Sequence, residues 1–196
     1  MAGVAGLILA GGQGARMGGL DKGWVEWQGR PLIEWAIERL TPQVDSLMIS
    51  ANRHLDRYQT LGHAVFPDAS QNFQGPLAGI VAGLAASPTP ALLVVPCDCP
   101  RFPLHLIEPL TASAAGRGIA VAHDGERLQP LFLYLERRAE DRVTGYLAGG
   151  GRSVLGWLDS VDHGIADFSG QAGAFTNFNQ LADLDARPHG ILSRSG

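Results

Sequence analysis

The sequence has 196 residues, of which 45% are hydrophobic and only 17% are Asp, Glu, Lys or Arg. This composition excludes an intrinsically disordered chain, because disordered segments combine few apolar residues with much charge. The formal net charge of −4 argues against broad nucleic-acid binding, which requires a basic face. No segment reaches the roughly 18 consecutive apolar residues that a membrane helix needs.

A chain of this length usually forms one domain. We expect a single domain over residues 1–186 and a loose tail over residues 187–196, which contain Pro188 and Gly190. The apolar segment Ala2–Ala10 has no basic flank before it and leads directly into glycines, so it is not typical of a signal peptide. We therefore expect a cytoplasmic protein, and a monomer, because the sequence has no extended apolar seam.

The first half of the chain alternates predicted strands with predicted helices. Ala5–Ala10 is a continuous apolar run, which is typical of a strand buried on both faces. The glycine-rich stretch Gly11–Gly19 follows it, and Pro31 then opens a helix. The remaining elements of this half are strands at Val44–Ala51, Ala64–Phe66 and Ala91–Val95 and a helix at Leu77–Ala86.

The second half contains a predicted hairpin whose turn is Asp124-Gly125. Its strands are Gly118–His123 and Leu128–Leu135, and the other predicted elements are helices at Leu104–Ala114, Arg138–Leu147 and Ser153–Leu158 and strands at Val161–Ala166 and Ala174–Thr176. Strands and helices that alternate in this way predict a three-layer α/β/α sandwich with a Rossmann-like, mostly parallel sheet. The hairpin adds one antiparallel strand.

A candidate phosphate site follows the first strand. In open parallel sheets, ligands bind beyond the carboxyl ends of the strands. Here Gly11, Gly12 and Gly14 allow a sharp turn that can bring several backbone N–H groups against an anion. Arg16 and Lys22 place two cations beside the same pocket. We therefore predict that this loop binds a triphosphate; the alternative is a tight turn with both cations solvated.

Two better-known nucleotide loops do not match this segment. A P-loop needs Ser or Thr directly after its lysine, whereas Lys22 is followed by Gly23. A dinucleotide fingerprint that starts at Gly12 has Met17 in place of its third glycine. The spacing therefore argues against a nicotinamide-dependent oxidoreductase.

Aspartates follow two other predicted strands. Asp68 comes after Phe66-Pro67, and Asp98 comes after Pro96-Cys97. Mg²⁺ binds through one or two carboxylates together with substrate phosphates, so these strand ends are candidate magnesium positions. The alternatives are an Asx-turn for Asp68 and a helix cap for Asp98. The amide pair Asn177 and Asn179 is a further source of oxygen ligands.

The cysteines and tryptophans add weaker signals. Cys97 and Cys99 are the only cysteines, and they lack the ligand count of a zinc site, so we interpret them as small buried thiols. Trp24 and Trp27 lie near Lys22 in the sequence. They are either core residues or the wall of a pocket for a planar ligand.

Several of these motifs, taken in order, resemble the molybdenum cofactor guanylyltransferases of the sugar-nucleotide-transferase-like superfamily. The likeness extends over about 180 residues. It is carried by Leu9-Ala10-Gly11-Gly12, Arg16-Met17-Gly18, Asp21-Lys22, Gly29-Arg30-Pro31-Leu32, Pro67-Asp68, Gly75-Pro76-Leu77-Ala78-Gly79, Pro96-Cys97-Asp98, Gln129-Pro130-Leu131-Phe132 and Asn177-Phe178-Asn179. Related cytidylyltransferases tend to have Ala-Ala-Gly where this chain has Ala10-Gly11-Gly12.

The resemblance implies transfer of GMP from MgGTP to the terminal phosphate of the molybdenum-bound pterin, with release of pyrophosphate. It implies nucleotide-binding roles for Leu9, Ala10, Gly11, Lys22, Asn52, Asp68 and Asp98. Asp98 would also hold Mg²⁺, and Asn177 and Asn179 would lie beside the pterin. We expect the catalytic residues to be Arg16, Lys22 and Asp98, with the loop amides through Gly14 around the phosphates.

The implied partners are GTP and molybdenum-molybdopterin, together with other molybdenum-cofactor assembly proteins and molybdoenzyme chaperones. Nucleic acid and membranes are not among them. Within the same chemistry, the alternatives are a molybdopterin cytidylyltransferase and a sugar-1-phosphate nucleotidyltransferase. A non-catalytic nucleotide-binding regulatory module is the alternative of another class.

Overall fold

A computed structural model describes residues 3–11, 21–68 and 75–178 of the chain. It contains strands β1 (Val4–Leu9), β2 (Glu26–Trp27), β3 (Arg30–Pro31), β4 (Ser46–Ser50), β5 (Ala64–Phe66), β6 (Ala91–Pro96), β7 (Ile119–His123), β8 (Leu128–Glu136) and β9 (Gly164–Asp167). The α-helices are α1 (Leu32–Leu40), α2 (Leu55–Gln59), α3 (Pro76–Ala86), α4 (Ile107–Ser113), α5 (Glu140–Ala148) and α6 (Val154–Leu158). None of the helices within the described ranges has the length and hydropathy needed to span a membrane.

Seven of the strands form one sheet in the order β5-β4-β1-β6-β8-β7-β9. β1 runs parallel to both β4 and β6, and β4 runs parallel to β5. β8 is antiparallel to its neighbours β6 and β7, while β7 and β9 are parallel. The prediction of a mostly parallel sheet with one antiparallel strand is therefore confirmed.

A hydrophobic core covers each face of the sheet, which gives the predicted three layers. On one face, Ile8 and Leu93 pack in a cluster with Leu40 of α1 and Leu110 of α4. On the other face, α3, α5 and α6 supply a second cluster that includes the fully buried Trp157. Because β1 and β6 are covered on both sides, their sequences are apolar throughout, as buried parallel strands require.

Some local predictions need correction. Ala174–Thr176, predicted as a strand, falls mainly in a 3₁₀ segment over Ser169–Phe175. The short helix α2 and the hairpin formed by β2 and β3 were not predicted. Pro31 ends β3 and precedes α1, so the helix begins one residue later than predicted. The proposed tail over residues 187–196 lies outside the described residues.

The strand register aligns the carboxyl ends of β5, β4, β1 and β6. Phe66 lies opposite Ser50, Ser50 opposite Leu9, and Leu9 opposite Pro96. These four residues form one row across the sheet. With strands about 4.8 Å apart, the row spans roughly 14 Å.

Candidate active site

The predicted site residues follow this row directly. Two positions beyond Phe66, Ser50, Leu9 and Pro96 are, respectively, Asp68, Asn52, Gly11 and Asp98. The sheet register therefore assembles a single polar edge from four segments that are far apart in the sequence. Leu9 ends β1, and the hydrogen bonding continues one residue further, because the Ala10 N–H donates to the Ser50 carbonyl and the Leu9 carbonyl accepts from Cys97 N–H.

Asp98 and Lys22 form an ion pair at one end of this edge. Lys22 Nζ lies 2.9 Å from Asp98 Oδ2, and their side chains are 22% and 14% exposed. Lys22 is the only lysine in the sequence. The pair places a strong cation against the carboxylate predicted to hold a metal, so both charges are available to one phosphate chain. Asp98 is therefore not explained as a cap of α4, which starts only at Ile107.

Asp68 at the other end of the edge is held by neutral donors. The buried Ser50 hydroxyl donates to its Oδ1 at 2.9 Å, and Asn52 Nδ2–H donates to its Oδ2 at 2.7 Å. The Asp68 N–H in turn donates to Asn52 Oδ1 at 3.0 Å. This reciprocal pair fixes Asn52 and Asp68 relative to each other. The structure therefore brings together two residues that the sequence predicted separately as nucleotide contacts.

Two glycines allow the edge to assemble. A Cβ at Gly79 of α3 would lie 2.8 Å from Ser50 Oγ and 3.0 Å from Asp68 Oδ1. A Cβ at Gly11 would lie 3.0 Å from Asn52 Nδ2. Larger residues at either position would crowd the donors of Asp68. These glycines are therefore needed for the space that they leave.

The turn that carries Lys22 is fastened by Asp21. Asp21 Oδ1 accepts from the Tyr58 hydroxyl at 2.6 Å and from Gly23 N–H at 3.3 Å, and Oδ2 lies 3.0 Å from His54 Nδ1. The Trp24 ring packs against the Tyr58 ring at a tilt of 47°, with centroids 5.1 Å apart. The prediction left Trp24 between core and pocket wall; its contact with Tyr58 places it against the hydrophobic cluster below the site.

The segment Asn177-Phe178 runs along the loop that contains Asp98. Phe178 N–H donates to the Asp98 carbonyl at 2.7 Å, and the Phe178 ring packs against Trp27, which is 7% exposed. Trp27 is therefore a core residue. Asn177 is exposed and directly precedes Phe178 in the chain.

Cys97 and Cys99 are buried free thiols, as predicted. Burial raises the pKa of the Cys97 thiol, and the nearby charges of Asp98 and Asp21 raise it further. Burial also raises the pKa of Cys99, whose Sγ lies 3.4 Å from the carbonyl of Ala174. Both cysteines therefore remain protonated and serve as packing residues.

The chemistry of the donor set fits a magnesium ion that shares its ligands with a substrate. Within the described ranges, no group of three or more His, Cys, Asp or Glu side chains could hold a metal by itself. Asp98 offers one partly buried carboxylate beside a cation. This arrangement suits Mg²⁺, which commonly uses one or two carboxylates and takes its other ligands from phosphates and water.

Several predicted residues fall outside the described part of the chain: Gly12, Gly14, Arg16 and Asn179. Conversely, sequence reasoning missed Ser50, His54 and Tyr58 as parts of this region. Ser50 carried a usable signal, since it is a polar residue at the end of a buried strand, two residues before Asn52. Nothing in the local sequence of α2 indicated that Tyr58 reaches Asp21.

Comparisons with known proteins give the same assignment as the motifs. A family model described as "MobA-like NTP transferase domain" matches residues 6–161. A molybdenum cofactor guanylyltransferase from Mannheimia succiniciproducens is 43% identical over 185 residues, which cover 93% of this chain and 97% of that protein. A protein of the same name from Shewanella woodyi is 43% identical over 189 residues, covering 92% and 96%.

A solved structure shares the fold. It is molybdopterin-guanine dinucleotide biosynthesis protein A from Archaeoglobus fulgidus, with a TM-score of 0.75 and 23% sequence identity over 92% of this chain and 94% of that one. The family match covers most of the chain, and the relatives match it nearly end to end. The chain therefore belongs to the MobA-like NTP transferase family, among the molybdenum cofactor guanylyltransferases.

Proposed function

We propose that this protein transfers GMP from GTP to the terminal phosphate of molybdenum-molybdopterin and releases pyrophosphate. The observation that carries the assignment is the polar edge made by Gly11, Asn52, Asp68 and the Lys22–Asp98 pair, in a chain 43% identical to molybdenum cofactor guanylyltransferases. This edge provides a hydrogen-bonding end and a charged end on one row of strand termini.

The reaction forms one P–O bond and breaks another. An oxygen of the acceptor phosphate attacks the α-phosphorus of GTP, and the bond to the β-phosphate breaks, with its electron pair leaving on pyrophosphate. A phosphate monoester has its second pKa near 6, so the attacking oxygen is already anionic at pH 7. The enzyme therefore needs alignment and charge neutralisation more than a general base.

Lys22 and Asp98 would have different roles in neutralising the charge of the reaction. The Lys22 ammonium would move from Asp98 to the phosphates and stabilise the charge that develops on the leaving pyrophosphate. Asp98 would hold Mg²⁺, which when bound supplies further neutralisation of the triphosphate. We assign Arg16 to the same phosphates, with the backbone of Gly11, Gly12 and Gly14 around them.

The remaining residues bind the two substrates. Asn52 and Asp68, locked together by reciprocal hydrogen bonds, would hold the nucleoside end of GTP, with Leu9 and Ala10 beneath it. Asn177 and Asn179 would meet the pterin, since Phe178 between them is tied to the Asp98 carbonyl. The acceptor would then bind near Asp98.

The test is a transfer assay with molybdenum-loaded molybdopterin, Mg²⁺ and each of GTP, CTP, ATP and UTP. The expected result is pyrophosphate release with GTP and a product whose mass equals the pterin plus GMP less one water. Transfer of CMP would instead identify a cytidylyltransferase. Nucleotide binding without any release of pyrophosphate would overturn the enzymatic assignment and favour a regulatory module.

A further inference from the structure

We propose that Tyr58 is a positioning residue for Lys22 and acts through Asp21. This role presupposes the transfer reaction proposed above, since it concerns how that reaction's lysine is held. The three residues come from two connections: Asp21 and Lys22 precede β2, and Tyr58 lies in α2, between β4 and β5. No local sequence contact requires them to meet.

Asp21 connects Tyr58 to the turn that carries Lys22. Its side chain is only 8% exposed, and it accepts from the Tyr58 hydroxyl, from Gly23 N–H and from His54. A nearly buried carboxylate with several donors keeps one orientation, because turning away would leave a charge without partners. Lys22 is the next residue in the chain, so its backbone is fixed by the same contacts.

Tyr58 is the strongest of the three donors to Asp21. The residue is fully buried, and its 2.6 Å hydrogen bond to Asp21 is the shortest of the three contacts. Burial raises the pKa of Tyr58, and the hydrogen bond to Asp21 and the charge of that carboxylate raise it further, so the hydroxyl stays protonated. By contrast, the His54 side chain is 60% exposed, so water competes with its hydrogen bond to Asp21.

Gly23 shows that this close approach is part of the fold. A Cβ on Gly23 would collide with the Tyr58 hydroxyl. Gly23 is buried and does not have positive φ, so the space that it leaves is the feature that matters here. The hydroxyl therefore reaches Asp21 through a gap directly under the Lys22 turn.

The same connection also carries a nucleotide contact. Asn52, which pairs with Asp68, lies only a few residues before His54 and Tyr58. His54 has φ of 48°, a left-handed conformation that is unfavourable for a residue with a side chain. This bend turns the chain from Asn52 into α2 and brings both His54 and Tyr58 to Asp21. One short segment thus ties the hydrogen-bonding end of the site to its lysine.

The test exploits the single lysine. Protein grown with ¹³Cε-labelled lysine gives one side-chain resonance, which reports Lys22 alone. Tyr58→Phe removes only the hydroxyl, and Tyr134→Phe, at a second buried tyrosine on β8, is the matched control. In Tyr58→Phe, the Lys22 resonance should shift and sharpen as the ammonium leaves Asp98, whereas Tyr134→Phe should leave it unchanged.

Kinetics then separate positioning from general stability. Tyr58→Phe should lower kcat about fivefold to tenfold, with KM for GTP changed less than about twofold. In a Lys22→Ala background, the same substitution should cost less than about twofold, because the group through which it acts is gone. An equal loss of kcat in both backgrounds, or an unchanged Lys22 resonance, would overturn the proposal.

Two further outcomes keep the proposals distinct. If Tyr58→Phe does not fold, Asp21→Asn changes the acceptor of the same hydrogen bond. This variant should also shift the Lys22 resonance. If the wild-type protein transfers no GMP, the proposed function fails. The resonance of Lys22 still decides whether Tyr58 positions it, because that measurement needs no turnover.

Discussion

Asp68 and Asp98 both follow strands of the same sheet, yet their surroundings differ in kind. Asp68 accepts hydrogen bonds from the neutral groups of Ser50 and Asn52, whereas Asp98 faces the ammonium of Lys22. Neutral donors fix a carboxylate without cancelling its charge. An ion pair at partial exposure can exchange its partners for other ions. The difference supports the proposed division of the edge, with Asp68 as a fixed group for the nucleoside and Asp98 as an exchangeable charge centre.

The largest effect should come from Asp98→Ala. We expect transfer to fall by about a thousandfold or more, because the substitution removes the carboxylate proposed to hold the metal with the triphosphate. The fold should persist, since Phe178 is anchored to the backbone carbonyl of Asp98 and Lys22 can be hydrated at 22% exposure. Steady-state kinetics and thermal unfolding measure the two effects. Normal turnover by this variant would remove Asp98 from the mechanism.

Lys22→Ala should have the next largest effect. We expect kcat to fall about a hundredfold, since the lost ammonium is the group proposed to stabilise charge that develops only in the transition state. The KM for GTP should change much less than kcat. Measuring kcat and both KM values separates the roles, and a change confined to the KM of the pterin would show that Lys22 does not act on GTP.

Much of this comparison could be predicted from the sequence. Strands β1 and β6 were predicted because burial on both faces makes a strand apolar throughout, and Asp98 follows directly from that pattern. The fold class was predicted from the alternation of elements alone. The pairing of Asp68 with Asn52 depends on the register of β4 with β5, which no local pattern specifies.

The failures have physical causes of the same kind. Ala174–Thr176 has the composition of a short strand, but Phe175 packs against Phe132 and Phe168, and the segment winds into a 3₁₀ turn. Tertiary packing here outweighs local propensity. Helix α2 has five residues, too few for a helical period to be detected.

Asp68→Asn should separate the two carboxylates most clearly. An amide keeps the shape and can still bond to both Asn52 and Ser50, but it loses the charge. We expect the affinity for GTP to fall about tenfold, with the dependence of the rate on Mg²⁺ concentration unchanged. Calorimetric titration with GTP and a magnesium titration of the rate provide the test. A shifted magnesium dependence would make Asp68 a metal ligand and abolish the distinction from Asp98.

Ser50→Ala should produce the smallest effect, and mainly on stability. The Ser50 hydroxyl is buried and donates to one oxygen of Asp68, so its loss should lower the free energy of unfolding by about 1–2 kcal/mol. Because Asn52 still holds the other oxygen, affinity for GTP should fall only about threefold. Urea unfolding and GTP titration measure these two quantities.

The combination of Ser50→Ala with Asp68→Asn shows whether the hydroxyl acts through the carboxylate. If it does, the double variant should bind GTP about as well as Asp68→Asn alone, since contacting residues in one network are not additive. If the losses in GTP affinity of the two single variants multiply in the double variant, Ser50 contributes to binding by another route, such as its fit against Gly79 of α3. The ion pair of Lys22 with Asp98 is easier to break than the hydrogen bond of Ser50 with Asp68. Because the ion pair is partly exposed, solvent can replace Lys22 at Asp98. Asp68 takes one of its bonds from the buried Ser50 hydroxyl, which solvent cannot replace, so this part of its rigidity has to be supplied by the fold.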